Sequence, residues 1–168
     1  MALTKINDRS GYSVDLSNYL TGVSRADLPA GSVLQVQYFE QTGNNNQQTN
    51  GTSFVDTGVT VDITPVSANS KFVVHVNHHE VYVPDSQSAC QIALYRNGTQ
   101  IGDMHGGTIG YVNASLHYYQ INFVYQDSPA TTSTLTYKTM FKSTYSGKTV
   151  QIQADGTASR IAVFEIAG

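Results

Sequence analysis

Apolar and polar residues alternate with a period of two along most of this 168-residue chain from residue 32 onward. In residues 53–63 the odd positions Val55, Val59, Val61 and Ile63 are apolar, and residues 117–125 and 135–141 show a similar alternation. Because successive side chains of a strand point to opposite faces of a sheet, this period predicts strands with one buried and one exposed face. Such half-buried strands are typical of antiparallel sheets.

Turn-forming residues separate these runs. Asn97-Gly98 is the sharpest turn signal, since both residues tolerate positive φ and a type I′ turn would join its flanking runs as a hairpin. The predicted strands are residues 32–39, 53–63, 71–83, 89–96, 99–105, 116–126, 133–143, 148–153 and 159–166. Eight or nine antiparallel strands without a convincing long helix predict an all-β fold, a β-sandwich or jelly roll.

One predicted strand is apolar on both sides of the pleat. The run from Phe72 to Val76 reads Phe-Val-Val-His-Val, which predicts either a central strand between two layers or a strand covered by a neighbouring subunit. Only 12% of all residues are charged, about half the ~25% of ordinary globular proteins. With so few surface charges to maintain solubility, we expect part of this surface to be covered in a homo-oligomer.

Composition also excludes several classes of protein. The hydrophobic content of 40%, with 11 Tyr and 6 Phe, argues against a disordered chain. The net charge of −3 without clustered Lys or Arg argues against a nucleic-acid partner. The single cysteine, Cys90, cannot form an internal disulfide or a Cys-rich zinc site. The longest apolar runs are far shorter than the ~20 residues that cross a bilayer, so we expect no membrane contact.

Residues 1–28 differ from the rest of the chain because they are polar and richer in charge. Pro29 and Gly31 mark a boundary after them, which divides the chain into an N-terminal arm, residues 1–28, and a β-sandwich domain, residues 29–168. The arm has too few apolar residues for a core of its own, so we expect it to dock onto another component, either extended or as one or two weak helical turns. The candidate anchoring residues are Val14, Leu16, Tyr19 and Leu20.

The histidines are the first candidates for a metal site. On a strand, His78 and His79 point to opposite faces, while His75 and His79 lie ~13 Å apart at ~3.3 Å per residue. A metal would therefore need ligands from other strands, of which the candidates are His105, His117, Asp103 and Glu80. A threefold axis could also gather three copies of one histidine. No recognised ligand spacing is present, so we interpret the histidines as strand-face residues and predict no metal.

Catalytic patterns are equally weak. Glu80 with Asp103 or Asp85 could supply the two carboxylates of a glycoside hydrolase, but nothing in the sequence sets their separation. Cys90 opens a predicted strand and is typical of a small buried hydrophobe. The glycine-rich residues 106–110 lack the Lys-Ser/Thr and the helix of a phosphate loop. We therefore expect no enzymatic activity and no cofactor.

The amide-rich loops are better candidates for function. Residues 43–52 are uncharged and dense in Asn and Gln, and the loops 84–88 and 106–115 add further polar groups and an aromatic ring. Amides beside an aromatic ring suit the hydroxyls and apolar faces of sugars, so we hypothesise contact with a host surface glycan. Polar loops of this kind are also found on any β-sandwich. The receptor-facing candidates are Asn44, Asn45, Asn46, Gln47, Tyr111 and Asn113.

Several segments carry a resemblance to a known family. These are Pro29–Val36, Phe54–Val59, Ile63–Pro65, Ser70–Val74, Leu94–Ile101, Asp127–Ala130 and Ile161–Ala167. In their order and turn patterns, residues 29–168 resemble the small β-sandwich domain of tailed-bacteriophage virion proteins, at tail-fibre ends or in other appendages. The resemblance implies a trimeric, jelly-roll-like knob with a structural role in the virion.

The chain departs from this family in two places. Residues 1–28 are too short for a fibre shaft, and His75, His78 and His79 replace the more usual small or aliphatic residues of their strand.

The resemblance implies a tail-fibre or host-attachment component. A capsid decoration or head-fibre protein, whose arm binds the shell, is the alternative within the same class. A cellular carbohydrate-binding module is a second alternative, and a polysaccharide-degrading enzyme is a more distant one.

Overall fold

The computed structural model describes residues 6–7, 13–14, 24–43, 46–104 and 117–168. These residues form strands and connecting turns, with one short 3₁₀ helix at Arg25–Asp27. The strands are β1 (Ile6–Asn7), β2 (Ser13–Val14), β3 (Val33–Gln41), β4 (Gln47–Thr49), β5 (Val55–Ile63), β6 (Lys71–Val83), β7 (Cys90–Arg96), β8 (Thr99–Met104), β9 (His117–Asp127), β10 (Leu135–Ser143), β11 (Val150–Ile152) and β12 (Ser159–Ile166). The all-β prediction is confirmed.

Two antiparallel sheets face each other across the core. The small sheet has four strands in the order β5-β10-β7-β8. The large sheet has six strands and is organised around the long β6, which pairs with β9 along one edge. Along its other edge β6 pairs first with β12 and then, at Tyr82, with β11. Strands β3 and β4 flank β12 and β11 on the outside.

The strand pairings are nested in the manner of one long hairpin. β7 pairs with β8, β6 with β9, β5 with β10, and β3 with β12, so each pair encloses the one before it. The hairpin is rolled up because β12 also pairs with β6 and β10 with β7. This connectivity is that of a jelly roll. The architecture predicted from the alternation is therefore present.

The inward positions of both sheets form a single apolar core. In β10 and β12 every second residue is buried, as the sequence period predicts. The largest fully buried apolar side chains are Tyr137, Phe72, Phe141, Ile63, Ile92, Leu94, Leu135, Ile152 and Ile161. Burial of one such side chain contributes roughly 1.5–3 kcal/mol relative to exposure, so this shared core holds the two sheets together.

The turn between β7 and β8 has the predicted geometry. Asn97 and Gly98 have φ of +48° and +80°, the two positive values that a type I′ turn requires. At the other end of the chain, Gly31 donates a backbone hydrogen bond to Ala167 and Ala167 donates one to Ser32. These bonds fasten the start of β3 to the end of β12.

One predicted loop segment differs from the structure. Residues 47–49, expected to be part of a polar loop, form the edge strand β4, which pairs with β11. Within the N-terminal arm, β1 and β2 pair with each other as a short antiparallel ladder. The expectation that the arm is extended or forms one or two weak helical turns falls mainly on residues outside those that the structure describes.

The doubly apolar strand β6 has one covered and one open side. Phe72, Val74 and Val76 are buried in the core. On the opposite side Val73 is half-buried and His75 is exposed among the described residues. The strand is therefore not enclosed between two layers of the described chain, and its outer side leads to the candidate site.

Candidate functional site

Exposed large apolar side chains concentrate on one face of the molecule. We call the side of the large sheet that points away from the small sheet the outer face. Among the described residues, five of the seven exposed large hydrophobic side chains lie on the outer face, so this surface is the one to consider for binding. They are Val33, Val36, Tyr38, Tyr118 and Val124.

An apolar patch crosses the outer face from β9 to β3. Val124 lies opposite His75, which lies opposite Ala162, which in turn lies opposite Tyr38. A second row runs beside the first, and the rings of His75 and Phe164 connect the two rows with centroids 5.3 Å apart. The apolar patch consists of Val36, Tyr38, Val73, His75, Val124, Ala162 and Phe164.

A shallow groove runs through the apolar patch. It has a volume of about 490 Å³, is open to solvent, and has the small side chain of Ala162 in its lining. Its walls include Tyr38, His75 and Val124. Its more polar lining residues are Asn77, Asn122 and Arg160. This volume is within the usual range for a ligand pocket. The open, mainly apolar shape suits a protruding side chain of a partner.

Charges at the rim of the groove are compensated. Arg160 Nε lies 3.1 Å from Glu40 Oε2, and the Tyr38 hydroxyl donates a 2.5 Å hydrogen bond to the same oxygen. The hydrogen bonds from Tyr38 and then Arg160 lower the pKa of the Glu40 carboxyl. Glu40 and Arg160 therefore form a neutral pair, and the patch presents no uncompensated charge at this edge.

β6 has a bulge between His78 and Val81, where its register with β9 shifts. Beyond this bulge, a separate row of side chains crosses the outer face. Tyr118 lies opposite Tyr82, Tyr82 opposite Gln151, and Gln151 opposite Gln48. The two tyrosine rings stack with centroids 4.5 Å apart and planes 21° apart. Gln151 Nε2 donates to Gln48 Oε1 at 3.1 Å. We call these four residues the tyrosine–glutamine row.

The predicted receptor-facing residues are only partly described. Asn46 is exposed, and its Nδ2 donates to Gln151 Oε1 at 3.2 Å, which attaches it to the tyrosine–glutamine row. Gln47 is half-buried in β4. The other four candidates, Asn44, Asn45, Tyr111 and Asn113, lie outside the described residues.

Tyr82 and Tyr118 are not among the candidate binding residues predicted from the sequence. The signal for Tyr118 was present, because it occupies an outward position of the alternation in residues 117–125. A large aromatic ring at a position that the period assigns to solvent is a candidate for binding. Tyr82 lacked such a signal, because a bulge in β6 reverses the phase after His79.

Most of the predicted docking-arm residues also lie outside the residues that the structure describes. Val14 pairs through its backbone with Ile6 in the short ladder of β1 and β2. Leu16, Tyr19 and Leu20 lie outside the described residues.

The histidines occupy separate environments. His78 is fully buried, with Nε2 2.9 Å from Thr139 Oγ1 and Nδ1 3.2 Å from Ser159 Oγ. Burial lowers the pKa of His78 to about 3, so its ring is neutral at physiological pH. His75 is exposed on the outer face. In the part of the chain that the structure describes, no three His, Cys, Asp or Glu side chains come together as a metal site.

The carboxylates considered for glycoside hydrolysis hold turns. Glu80 Oε2 accepts hydrogen bonds from Asp155 N at 2.9 Å and from Thr157 Oγ1 at 3.2 Å. Asp85 Oδ2 accepts one from Thr149 N at 2.7 Å. The Asp103 side chain is not among those that the structure describes. The two described carboxylates thus have structural partners.

Cys90 is a buried core residue, as its position at the start of a strand predicts. It is fully buried, and burial raises the pKa of its thiol. A thiol in this environment is unreactive. Separately, none of the helices within the described ranges has the length and apolar character needed to cross a membrane.

Comparisons with known proteins give distant likenesses of fold. No family model and no curated protein match the chain. Among solved structures, the infectious bursal disease virus VP2 subviral particle is 15% identical over 82% of this chain and 34% of that chain, with a TM-score of 0.41. The insecticidal delta-endotoxin Cry8Ea1 from Bacillus thuringiensis is 14% identical over 72% of this chain and 19% of that chain, with a TM-score of 0.39.

A family 35 carbohydrate-binding module from an environmental isolate is also similar. It is 15% identical over 76% of this chain and 82% of that chain, with a TM-score of 0.30. The chain covers only about a fifth to a third of the first two structures. With identities and TM-scores this low, the likenesses carry no argument about function.

Proposed function

We propose that this chain is a non-enzymatic structural protein of a virus particle, a tail-fibre or host-attachment component of a tailed bacteriophage. In this proposal the β-sandwich domain assembles as a homo-oligomer, with a trimer favoured, and residues 1–28 dock onto another virion protein. The observation that carries the proposal is a jelly roll whose large sheet leaves an apolar outer face open. The resemblance of residues 29–168 to phage virion domains supports the same assignment.

The apolar patch supports the oligomer. Val36, Tyr38 and Val124 are 47%, 53% and 59% exposed, although all three stand on a regular paired sheet. Contiguous exposed apolar surface on a soluble protein typically marks an interaction site. A second copy that covered the patch would remove this surface from water. Coverage would also explain how a chain with 12% charged residues stays soluble.

The positions of the reactive side chains support a non-enzymatic role. His78 and Cys90 are fully buried in the core, and Glu80 and Asp85 are hydrogen-bonded to turns. Each of these groups already has a structural function. Turnover of a surface polysaccharide by the purified chain would overturn this part of the proposal.

The location is tested by immunogold labelling of purified particles with antibodies raised against the recombinant chain. Label on the tail is the expected result, whereas label over the head would favour a capsid decoration or head-fibre protein. Particles that carry no label, from cultures that contain the protein, would contradict a virion role.

Deletion of residues 2–28 tests the docking arm. We expect the truncated chain to be lost from particles while its β-domain still folds, because every strand of both sheets lies between residues 33 and 166. Circular dichroism and a thermal melt of the purified truncated chain provide the control for folding. Incorporation equal to that of the full chain would refute a docking role for the arm.

A cellular carbohydrate-binding module is the second candidate. The tyrosine–glutamine row favours it, because aromatic rings beside amides are suited to sugars. The two candidates differ in location, so the labelling experiment also separates them.

A further inference from the structure

We propose that the tyrosine–glutamine row binds a neutral oligosaccharide. Tyr118, Tyr82, Gln151 and Gln48 come from four different strands and form one continuous line on the outer face. They lie at the opposite end of β6 from Val73 and His75, so the row is separate from the apolar patch. The proposed site is thus a strip of sheet surface.

The aromatic end of the row provides an open stacking surface. Tyr118 is 52% exposed and stands on β9, which pairs on only one side among the described strands. Its contact with Tyr82 covers one face of the ring, and that stacked pair fixes the orientation of the other face. A rigid tyrosine ring with one free face can pack against the apolar C–H face of a sugar while its hydroxyl makes hydrogen bonds.

The amide end provides hydrogen-bonding groups for sugar hydroxyls. Gln48 is exposed, and each primary amide has two donor hydrogens and an acceptor oxygen. The chain of hydrogen bonds from Asn46 through Gln151 to Gln48 holds these amides in place while leaving capacity for a ligand. Next to them is a polar pocket of about 170 Å³ lined by Gln48, Thr49, Asn50 and Thr149.

The length of the row indicates an oligosaccharide. Three strand spacings of ~4.8 Å separate Tyr118 from Gln48, a span of ~14 Å. A pyranose ring is about as wide as a tyrosine ring, so a line of four side chains is longer than one sugar. One sugar on the Tyr118 ring and another near the polar pocket would engage both ends.

The charge distribution favours a neutral sugar over an acidic one. The four side chains of the row are uncharged. Burial, and then the negative charge of Asp155, raise the pKa of the Tyr118 hydroxyl, so this group stays protonated and can donate. The same carboxylate, together with Glu80, gives this end of the sheet a negative field that disfavours uronic and sialic acids.

The proposal rests on the proposed function only in expecting that this surface is displayed to solvent. Location is tested on particles, whereas binding is tested on the purified full chain. A failure of one is therefore distinguishable from a failure of the other.

The test is an array of neutral hexose and N-acetylhexosamine oligosaccharides, with uronate- and sialate-containing oligosaccharides of equal length beside them. We expect the full chain to bind one or more neutral oligosaccharides and to bind the acidic ones more weakly. For the best neutral oligosaccharide, titration calorimetry should show about tenfold weaker binding by Tyr118→Ala and a smaller loss by Tyr118→Phe, which keeps the stacking ring but lacks the hydroxyl.

Two further variants make the result specific. Gln48→Ala removes an exposed amide at the other end of the row and should also weaken binding. Tyr145→Ala removes a comparably exposed tyrosine from the 144–147 turn and should leave binding unchanged. The proposal is overturned if no oligosaccharide binds, if Tyr118→Ala and Gln48→Ala bind as the wild type does, or if Tyr118→Ala changes only the oligomeric mass.

Discussion

At the scale of the residue, His78 shows how a polar side chain is accommodated in the core. It lies in the inward phase of β6, two residues after Val76, and is fully buried, so its interpretation as a residue of a polar strand face is wrong. Its hydrogen-bond partners could not be predicted, because Thr139 and Ser159 lie on β10 and β12, 61 and 81 residues away in the chain. Thr139 bonds in turn to Thr57 of β5, so the network connects the two sheets.

This burial predicts a loss of stability in acid. His78 has a pKa of about 3 when folded and an ordinary value of 6.5 when unfolded, so the unfolded chain binds the extra proton between these values. The stabilising effect of the neutral ring is complete above pH 6.5 and declines as the pH falls toward 3. The free energy of unfolding should therefore fall by up to about 1.4 kcal/mol per pH unit from this residue.

Urea unfolding at pH 7, 6, 5 and 4 measures this effect. The variant His78→Gln replaces the imidazole with an amide that can still bond to the neighbouring hydroxyls but does not titrate, so its stability should depend less steeply on pH. The other titratable groups are present in both proteins, so the difference isolates His78. Parallel curves for the two proteins would show that His78 does not set the acid response.

At the scale of the element, Asp127 fastens the end of β9 to the opposite sheet. Arg96 Nη1 of β7 lies 2.5 and 2.6 Å from the two Asp127 carboxylate oxygens, and the Tyr137 hydroxyl of β10 donates to Oδ2 at 2.7 Å. The sequence predicts the turn that follows β9 from Asp127-Ser128-Pro129. It does not predict this clamp, which depends on the packing of the two sheets.

Substitution of Asp127 should lower the stability of the fold. Asp127 is 9% exposed, so Asp127→Asn should lower the free energy of unfolding by about 2–3 kcal/mol, because the half-buried Arg96 loses its counter-charge and the Tyr137 hydroxyl loses a charged acceptor. Asp56→Asn, in the exposed pair with Lys138, is the matched control and should change stability by less than about 1 kcal/mol. Equal effects of the two substitutions in chemical denaturation would contradict the assignment.

Most strands were predictable because apolar and polar residues alternate regularly along them. β6 and β12 have the same bounds in the sequence prediction and in the structure. β4 was missed because its three residues, Gln47 to Thr49, are all polar and give no alternation. A short edge strand of this kind is defined by its partner, here β11, and not by its own composition.

At the scale of the whole molecule, the strand order places the two outer-face features. The alternation predicts which side chains point outward but not which strands become neighbours. Val124 and Tyr38 lie at the two ends of one row of side chains only because the nested pairing puts β9, β6, β12 and β3 side by side. The same order assembles the tyrosine–glutamine row. The sequence therefore indicated a surface that needs covering, whereas its position required the structure.

The central claim is that a second copy of the chain covers the apolar patch, and sedimentation equilibrium at micromolar concentration tests it most directly. We predict a mass that is a multiple of 18.2 kDa, with three chains favoured, and dissociation to monomer by Val124→Glu or Tyr38→Glu. Val55→Glu, at a 37% exposed valine of the small sheet, should leave the oligomer intact. A wild-type chain that remains monomeric, or an oligomer that Val124→Glu and Tyr38→Glu leave unchanged, would contradict the claim.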